Sequence, residues 1–210
     1  MALVDANYKF IYVDVGAAGR AGDAGVFADS TLKQALTSNS LDLPSSSTIS
    51  GISSKIEYHI VGDDAFPLTM RIMKPYPHRN LVKEKRIYNY RLSRARKVVE
   101  NAFGILAHRW RDFLTKIKLS PDKVTNVILA ACCLHNFMVE KNKAGYAAAA
   151  DLENSDHSVS RGSWRSDAAL TILQPTPSHN ASRNAKLQRD LLANYVNDCG
   201  SVPWQDNMVI

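Results

Sequence analysis

Apolar and polar residues alternate from Tyr8 to Val15, the period-two pattern of a half-buried strand, and Ala2-Leu3-Val4 reads as the end of another strand before the turn residues Asp5-Ala6-Asn7. A hairpin with a short first arm is the expectation. Gly16, Gly19 and Gly22 form a flexible loop into Asp23, and residues 24–36 follow as a helix with Val26, Phe27 and Leu32 facing inward. The Ser- and Thr-rich stretch 37–54 predicts a surface connection that gives little to a core. Tyr58-His59-Ile60-Val61 is a short strand stopped by Gly62, with Asp63 and Asp64 at its C-terminal end, the edge of an open sheet where ligands bind.

Pro75 and Pro77 require an extended segment over 73–78, and a basic stretch follows over 79–91. Helical spacing of Val98, Val99, Ala102, Phe103, Leu106, Trp110 and Phe113 predicts a helix over 94–114 with Ser93 as N-cap. Ser120 and Pro121 punctuate the start of a second helix, with Val124, Val127, Ile128, Ala131, Leu134 and Met138 as its buried stripe. The two helices are expected to pair as a hairpin. Residues 141–182 are polar and broken by Pro175 and Pro177, which reads as a partly disordered linker, and 184–196 forms a last amphipathic helix before an exposed Pro203-Trp204. The domain plan is thus a domain over 1–140, a linker over 141–183 and a helix with tail over 184–210.

Charge adds direction to this plan. The net charge of +6 and pI near 9.2 call for an anionic partner. The charge is also uneven: residues 71–118 hold fourteen Lys or Arg against the three acids Glu84, Glu100 and Asp112, whereas residues 1–63 hold four basic residues and seven acids. Only three cysteines occur, Cys132, Cys133 and Cys199, too few for a disulfide framework and without metal-site spacing, which fits a reducing compartment. Cys132, Cys133 and His135 read as packed residues of an apolar helix. No apolar run nears the ~20 residues a membrane span needs, and no signal peptide is visible, so a soluble intracellular protein is expected.

Asp23, Asp63 and Glu100 stand out by position, although taken alone Glu100 reads as a helix ion-pair partner for nearby cations. The words around them change that. Val61-Gly62-Asp63-Asp64-Ala65-Phe66-Pro67-Leu68, Met73-Lys74-Pro75-Tyr76, the run from Tyr88 to Gly104 containing Arg96-Lys97-Val98-Val99-Glu100-Asn101, then His108-Arg109-Trp110-Arg111 and Leu134-His135-Asn136 follow one another in order. With Asp23-Ala24-Gly25-Val26-Phe27 before them, this series resembles the motifs of the Harbinger-type transposases, DDE nucleases, over about residues 3–140.

That resemblance implies an α/β fold similar to RNase H, a mixed sheet flanked by helices, here incomplete and joined to a helical C-terminal part. It implies DNA strand cleavage and transfer by acids at the sheet edge, with Asp23, Asp63 and Glu100 in the catalytic, metal-binding positions. Oxygen-only carboxylate ligands suit Mg²⁺ or Mn²⁺, and paired metals polarise the attacking water and stabilise the leaving oxygen. Lys74, Arg91, Arg94, Arg96, Lys97, Arg109 and Arg111 are the candidates to neutralise DNA phosphates, contacts that position without reading sequence. The resemblance also implies location in the nucleus, with the cytoplasm as a second compartment, and a separate Myb-like protein that supplies DNA binding. The family's first catalytic aspartate belongs to a strand preceding Asp5 that has no counterpart here, so a truncated sheet with open edges, self-association through those edges and little cleavage are expected. The alternative reading is a non-catalytic protein that binds nucleic acid or a protein partner through its basic helix.

Overall fold

In the computed structural model, which describes residues 1–17, 21–166 and 181–209, a unit made of Met1–Arg20 with Lys97–Leu173 is distinct from one made of Ala21–Arg96 with Gln174–Ile210. The described residues form a mixed α/β structure with four separate two-stranded sheets, three antiparallel and one parallel. One mixed sheet was the expectation; among the described residues no strand pairs with more than one other.

The first unit opens with the expected hairpin. Strand β1 (Ala2–Val4) pairs antiparallel with β2 (Phe10–Val13), with a register shift between Leu3 and Val4. The Asp5 carboxylate closes the turn by accepting the backbone N–H groups of Asn7 at 2.8 Å and Lys9 at 2.9 Å, the usual reason for an aspartate in such a position. Phe10 packs with Ala102, Leu106, Ala131 and Cys132, so both long helices line one cluster around the hairpin.

Those helices differ from expectation in two respects. Helix α3 runs Lys83–Arg109, and Ser93 is an exposed mid-helix residue rather than its cap. The early start follows from Ile87, Tyr88 and Leu92, which are buried at steps of one and four residues among the cations that obscure them in the sequence. At Trp110 the backbone leaves the helical region, at φ −107° and ψ 82°, and a 3-10 turn over Arg111–Leu114 replaces the predicted last helical turn. Helix α4 spans Pro121–Lys141 with Ser120 as N-cap, as predicted. Its buried face is rotated, however: Ala131, Cys132, His135 and Val139 point inward, while Val127 and Leu134 are exposed. Of the adjacent cysteines only Cys132 is buried.

Part of the stretch read as a linker carries structure. A short helix α5 (Lys143–Tyr146), a 3-10 turn (Ala147–Ala149), a pair of two-residue strands and a second 3-10 turn (Ser163–Ser166) follow α4. Tyr146 and Ala150 are buried with Ile105 and Val139, which supplies the apolar contact that the polar composition conceals. The remainder of that stretch, 167–180, lies outside the described residues.

In the second unit the expected single helix over 24–36 is two: α1 (Gly22–Asp29) and α2 (Thr31–Thr37). Ser30 separates them with an extended backbone and caps α2, its hydroxyl accepting from the Lys33 N–H at 3.1 Å. The Ser- and Thr-rich connection contributes Ser47–Thr48, which pairs with Lys55–Ile56, and Ile49 packs partly against the core. The strand before Asp63 is Ile60–Val61, parallel to Ile72–Met73. Helix α6 (Arg183–Asn197) is capped by the Ser182 hydroxyl and buries Ala185, Leu192 and Ala193 against Met73, Tyr76, Tyr88 and Leu92. Trp204 is half-buried rather than exposed.

Candidate functional site

Gly62 ends the strand before Asp63 while still donating its N–H to the Met73 carbonyl at 2.9 Å. The Asp63 carboxylate then accepts the Ala65 N–H at 2.9 Å and its carbonyl accepts the Phe66 N–H at 3.3 Å, so this acid organises its own turn. A Cβ on Gly62 would meet the Phe66 side chain at 3.1 Å, which explains the glycine. Phe66 packs edge-to-face on Phe27 of α1, with ring centres 5.4 Å apart. Asp23 lies one turn before Phe27 on that helix, so the aromatic pair draws the Asp23 helix and the Asp63 turn together within the second unit. Both acids are half-buried.

Glu100 belongs to the first unit, half-buried on α3, with the Arg165 guanidinium 3.8 Å away. Arg165 has a closer partner in Asp151, whose carboxylate it meets with Nε at 2.8 Å and Nη2 at 2.6 Å. These two bonds, with the Gly162 N–H, hold the Asp151 carboxyl below the usual carboxylate range against the opposing effect of burial. The rest of the Glu100 word is structural. Asn101 accepts the Asp151 N–H at 3.0 Å and the Trp164 indole N–H at 3.1 Å. Gly104 lies under that indole, where a Cβ would come within 2.2 Å of the ring. Asp151, Trp164 and Arg165 escaped the sequence reading because they sit in a polar stretch without periodicity.

The seven cations proposed for phosphate contacts occupy unlike surroundings. Lys74 is buried, with 6 % of its surface exposed, and donates to the Asp64 carbonyl at 2.8 Å. Burial pulls its ammonium below the ordinary lysine range, with Asp64 opposing. Arg91 donates to the Gly200 carbonyl and the Gln205 side chain, and Arg94 donates to the Tyr90 hydroxyl at 2.8 Å. Arg96 and Lys97 are half-buried, whereas Arg109 and Arg111 are exposed. Lys74, Arg91, Arg94 and Arg96 fall in the second unit and Lys97, Arg109 and Arg111 in the first.

His135 is fully buried on α4. Its Nε2 lies 2.6 Å from the Tyr8 carbonyl, which only accepts, so Nε2 carries the proton and Nδ1 accepts from the Tyr146 hydroxyl at 3.2 Å. Burial lowers its pKa and keeps the ring neutral, while the same burial pushes the Tyr146 phenol up to about 12. Next to it, Asn136 accepts the Phe10 N–H and donates to the Phe10 carbonyl, both at 2.8 Å. The Leu134-His135-Asn136 word therefore fastens the hairpin to α4.

Three carboxylates are the right donor type for a hard divalent cation. Among the described residues, however, no three His, Cys, Asp or Glu side chains gather in a group able to hold a metal ion. Asp23 and Asp63 fall in the second unit and Glu100 in the first; Asp63 accepts the turn N–H and Glu100 has Arg165 as a neighbour.

A family model described as DDE superfamily endonuclease matches residues 1–136, and the chain belongs to that family. The matched span contains all three acids and the whole basic segment, so the Harbinger-type resemblance of the motif series holds at family level. The protein is similar to "Protein ALP1-like" of Arabidopsis thaliana, at 28% identity over 145 residues, which cover 66% of this chain and 34% of that protein. The aligned part therefore spans about a third of that relative's length. No solved structure matches. No helix among the described residues is long and apolar enough to cross a membrane.

Proposed function

We propose that the chain acts on DNA as a transposon-derived, nuclease-type module of the DDE class, with an RNase H-like architecture and with Asp23, Asp63 and Glu100 as its catalytic acids. The observation that carries this reading is the family match over residues 1–136, which places acids and cations in one matched segment. Mg²⁺ or Mn²⁺ is the cation class that all-carboxylate oxygen ligands favour; bound there, it would supply the Lewis acidity for phosphodiester hydrolysis. The exposed Arg109 and Arg111 are the residues best placed to take phosphates, since their charge is already presented to solvent. Location in the nucleus and a separate Myb-like DNA-binding partner go with this reading.

A second reading, nucleic-acid or protein binding without cleavage, is favoured by the Arg165–Glu100 pair. One measurement separates the two readings, and a second tests the phosphate contacts they share. A rise in melting temperature on adding Mn²⁺ that disappears in Asp63→Ala with Glu100→Ala supports the nuclease reading; an unchanged melting temperature supports the binder. On duplex DNA, Arg109→Gln with Arg111→Gln should weaken binding and flatten the log Kd against log salt slope by roughly 2, about 0.9 for each phosphate no longer neutralised. Binding that ignores salt would overturn the phosphate contacts assigned to Arg109 and Arg111.

A further inference from the structure

The inward side of α4 is occupied by the first unit's core, but its outward side carries exposed apolar residues, of which Phe137 has the Lys141 ammonium of the same helix 5.7 Å from its ring centre. Val127 is 41% exposed, Leu134 52% and Phe137 56%, and Leu129, Ala130 and Cys133 are exposed beside them. At 100° per residue these positions fill one continuous arc of roughly 160°. Within that arc Lys123, Asn126, Ala130, Cys133, Phe137 and Glu140 recur at alternating steps of three and four, the seam spacing of paired helices. An exposed apolar stripe with charged ends is a docking surface rather than a solvated face.

We propose that this face of α4 is covered by α4 of a second copy of the chain, packed antiparallel about a two-fold axis passing between Ala131 and Cys132. The charges at the helix ends select this occupant and this direction. The stripe begins with Asp122-Lys123 and ends with Glu140-Lys141, all four exposed. In the antiparallel register Lys123 lies opposite Glu140 of the second copy, and Asp122 lies opposite its Lys141. The same register sets Ala130 against Cys133 and Asn126 against Phe137, pairing small with small at the centre and leaving room for the ring toward each end. Parallel packing would oppose Lys123 to Lys123 and Glu140 to Glu140, which like-charge repulsion disfavours. A two-fold contact of this kind uses one patch twice and closes as a dimer. Glu140 already meets Lys9 at 3.1 Å within its own chain, but it is 68% exposed and open to a second cation. The inference is independent of the nuclease reading.

The test is sedimentation velocity of the whole chain over a range of concentrations. A monomer–dimer equilibrium is expected, with Leu134→Glu raising the dissociation constant at least roughly tenfold. Leu134 is exposed, so circular dichroism and melting temperature of the diluted monomer should stay unchanged. Lys123→Glu should also weaken the dimer, and adding Glu140→Lys should restore it. Both swaps suit the helix dipole, an acid in the first turn and a base in the last, so weakening by the first cannot be assigned to a frayed helix. The proposal is overturned by a chain that stays monomeric at every concentration, or by a dimer indifferent to Leu134→Glu or to the charge swap; either result would assign the stripe to a different partner.

Discussion

Asn136 in the first unit and Asn89 in the second perform the same task in different surroundings. Each projects from a helix and pairs with both backbone groups of one aromatic residue in an extended segment: Asn136 with Phe10, and Asn89 with Tyr76 at 2.8 and 2.9 Å. The side-chain amide thus imitates a strand, tying a segment that has few strand partners to a helix. The neighbours of the two clamps differ. Beside Asn136 lies a neutral, buried histidine held between a carbonyl and a phenol. Beside Asn89 the held residue is part of a charged group: the Tyr76 hydroxyl donates to Asp190, and the Arg189 guanidinium stacks 3.9 Å from the Tyr76 ring centre. One unit fixes its clamp with neutral polarity and the other with ionic partners, so the two should respond differently to deletion.

The largest expected effect is from Asn89→Ala. Asn89 is 9% exposed, so its loss strands the Tyr76 N–H and carbonyl away from water, at a cost of about 2–4 kcal/mol in urea unfolding. Asn136 is only half-buried and water can replace it in part, so Asn136→Ala should cost less, about 1–2 kcal/mol. A loss at Asn136 equal to or above that at Asn89 would break the comparison.

Acid should act more gently. Burial holds the folded pKa of His135 below its ordinary value of 6.5, so as pH falls past that value the unfolded chain takes up a proton that the folded chain refuses. The contribution is complete above the unfolded pKa and declines as pH drops below it. His59 in the second unit shifts in the same direction, chiefly by burial, so melting temperature should fall between about pH 7 and pH 5. His135→Gln should remove part of that slope and leave the part due to His59; an unchanged slope would show that the first unit does not sense acid through this ring.

Much of the candidate site was legible in residues. The motif words located Asp63 at a strand end, Asp23 at a helix start and Glu100 on a long helix, because each depends on local signals: a glycine stop, a loop before a periodic run, and helical spacing. What those residues touch was not legible. Arg165 and Asp151 reach Glu100 and Asn101 from fifty or more residues along the chain, and no local rule links them. Nor did counting cations show which are presented to solvent, since Lys74 is spent on a carbonyl while Arg111 is exposed.

Sequence alone determined the family, the start of α4 at Ser120-Pro121, the hairpin turn at Asp5 and the strand end at Gly62, all of which are settled by the chemistry of a few neighbouring residues. The tertiary structure decided the rotation of α4. Its residues are apolar almost all the way round from Val124 to Val139, so periodicity favours no single face. The choice was made by the polar residues among them: His135 and Asn136 must satisfy hydrogen bonds when buried, and they find them on the backbone of Tyr8 and Phe10 and on the Tyr146 hydroxyl, which turns Leu134 and Phe137 outward.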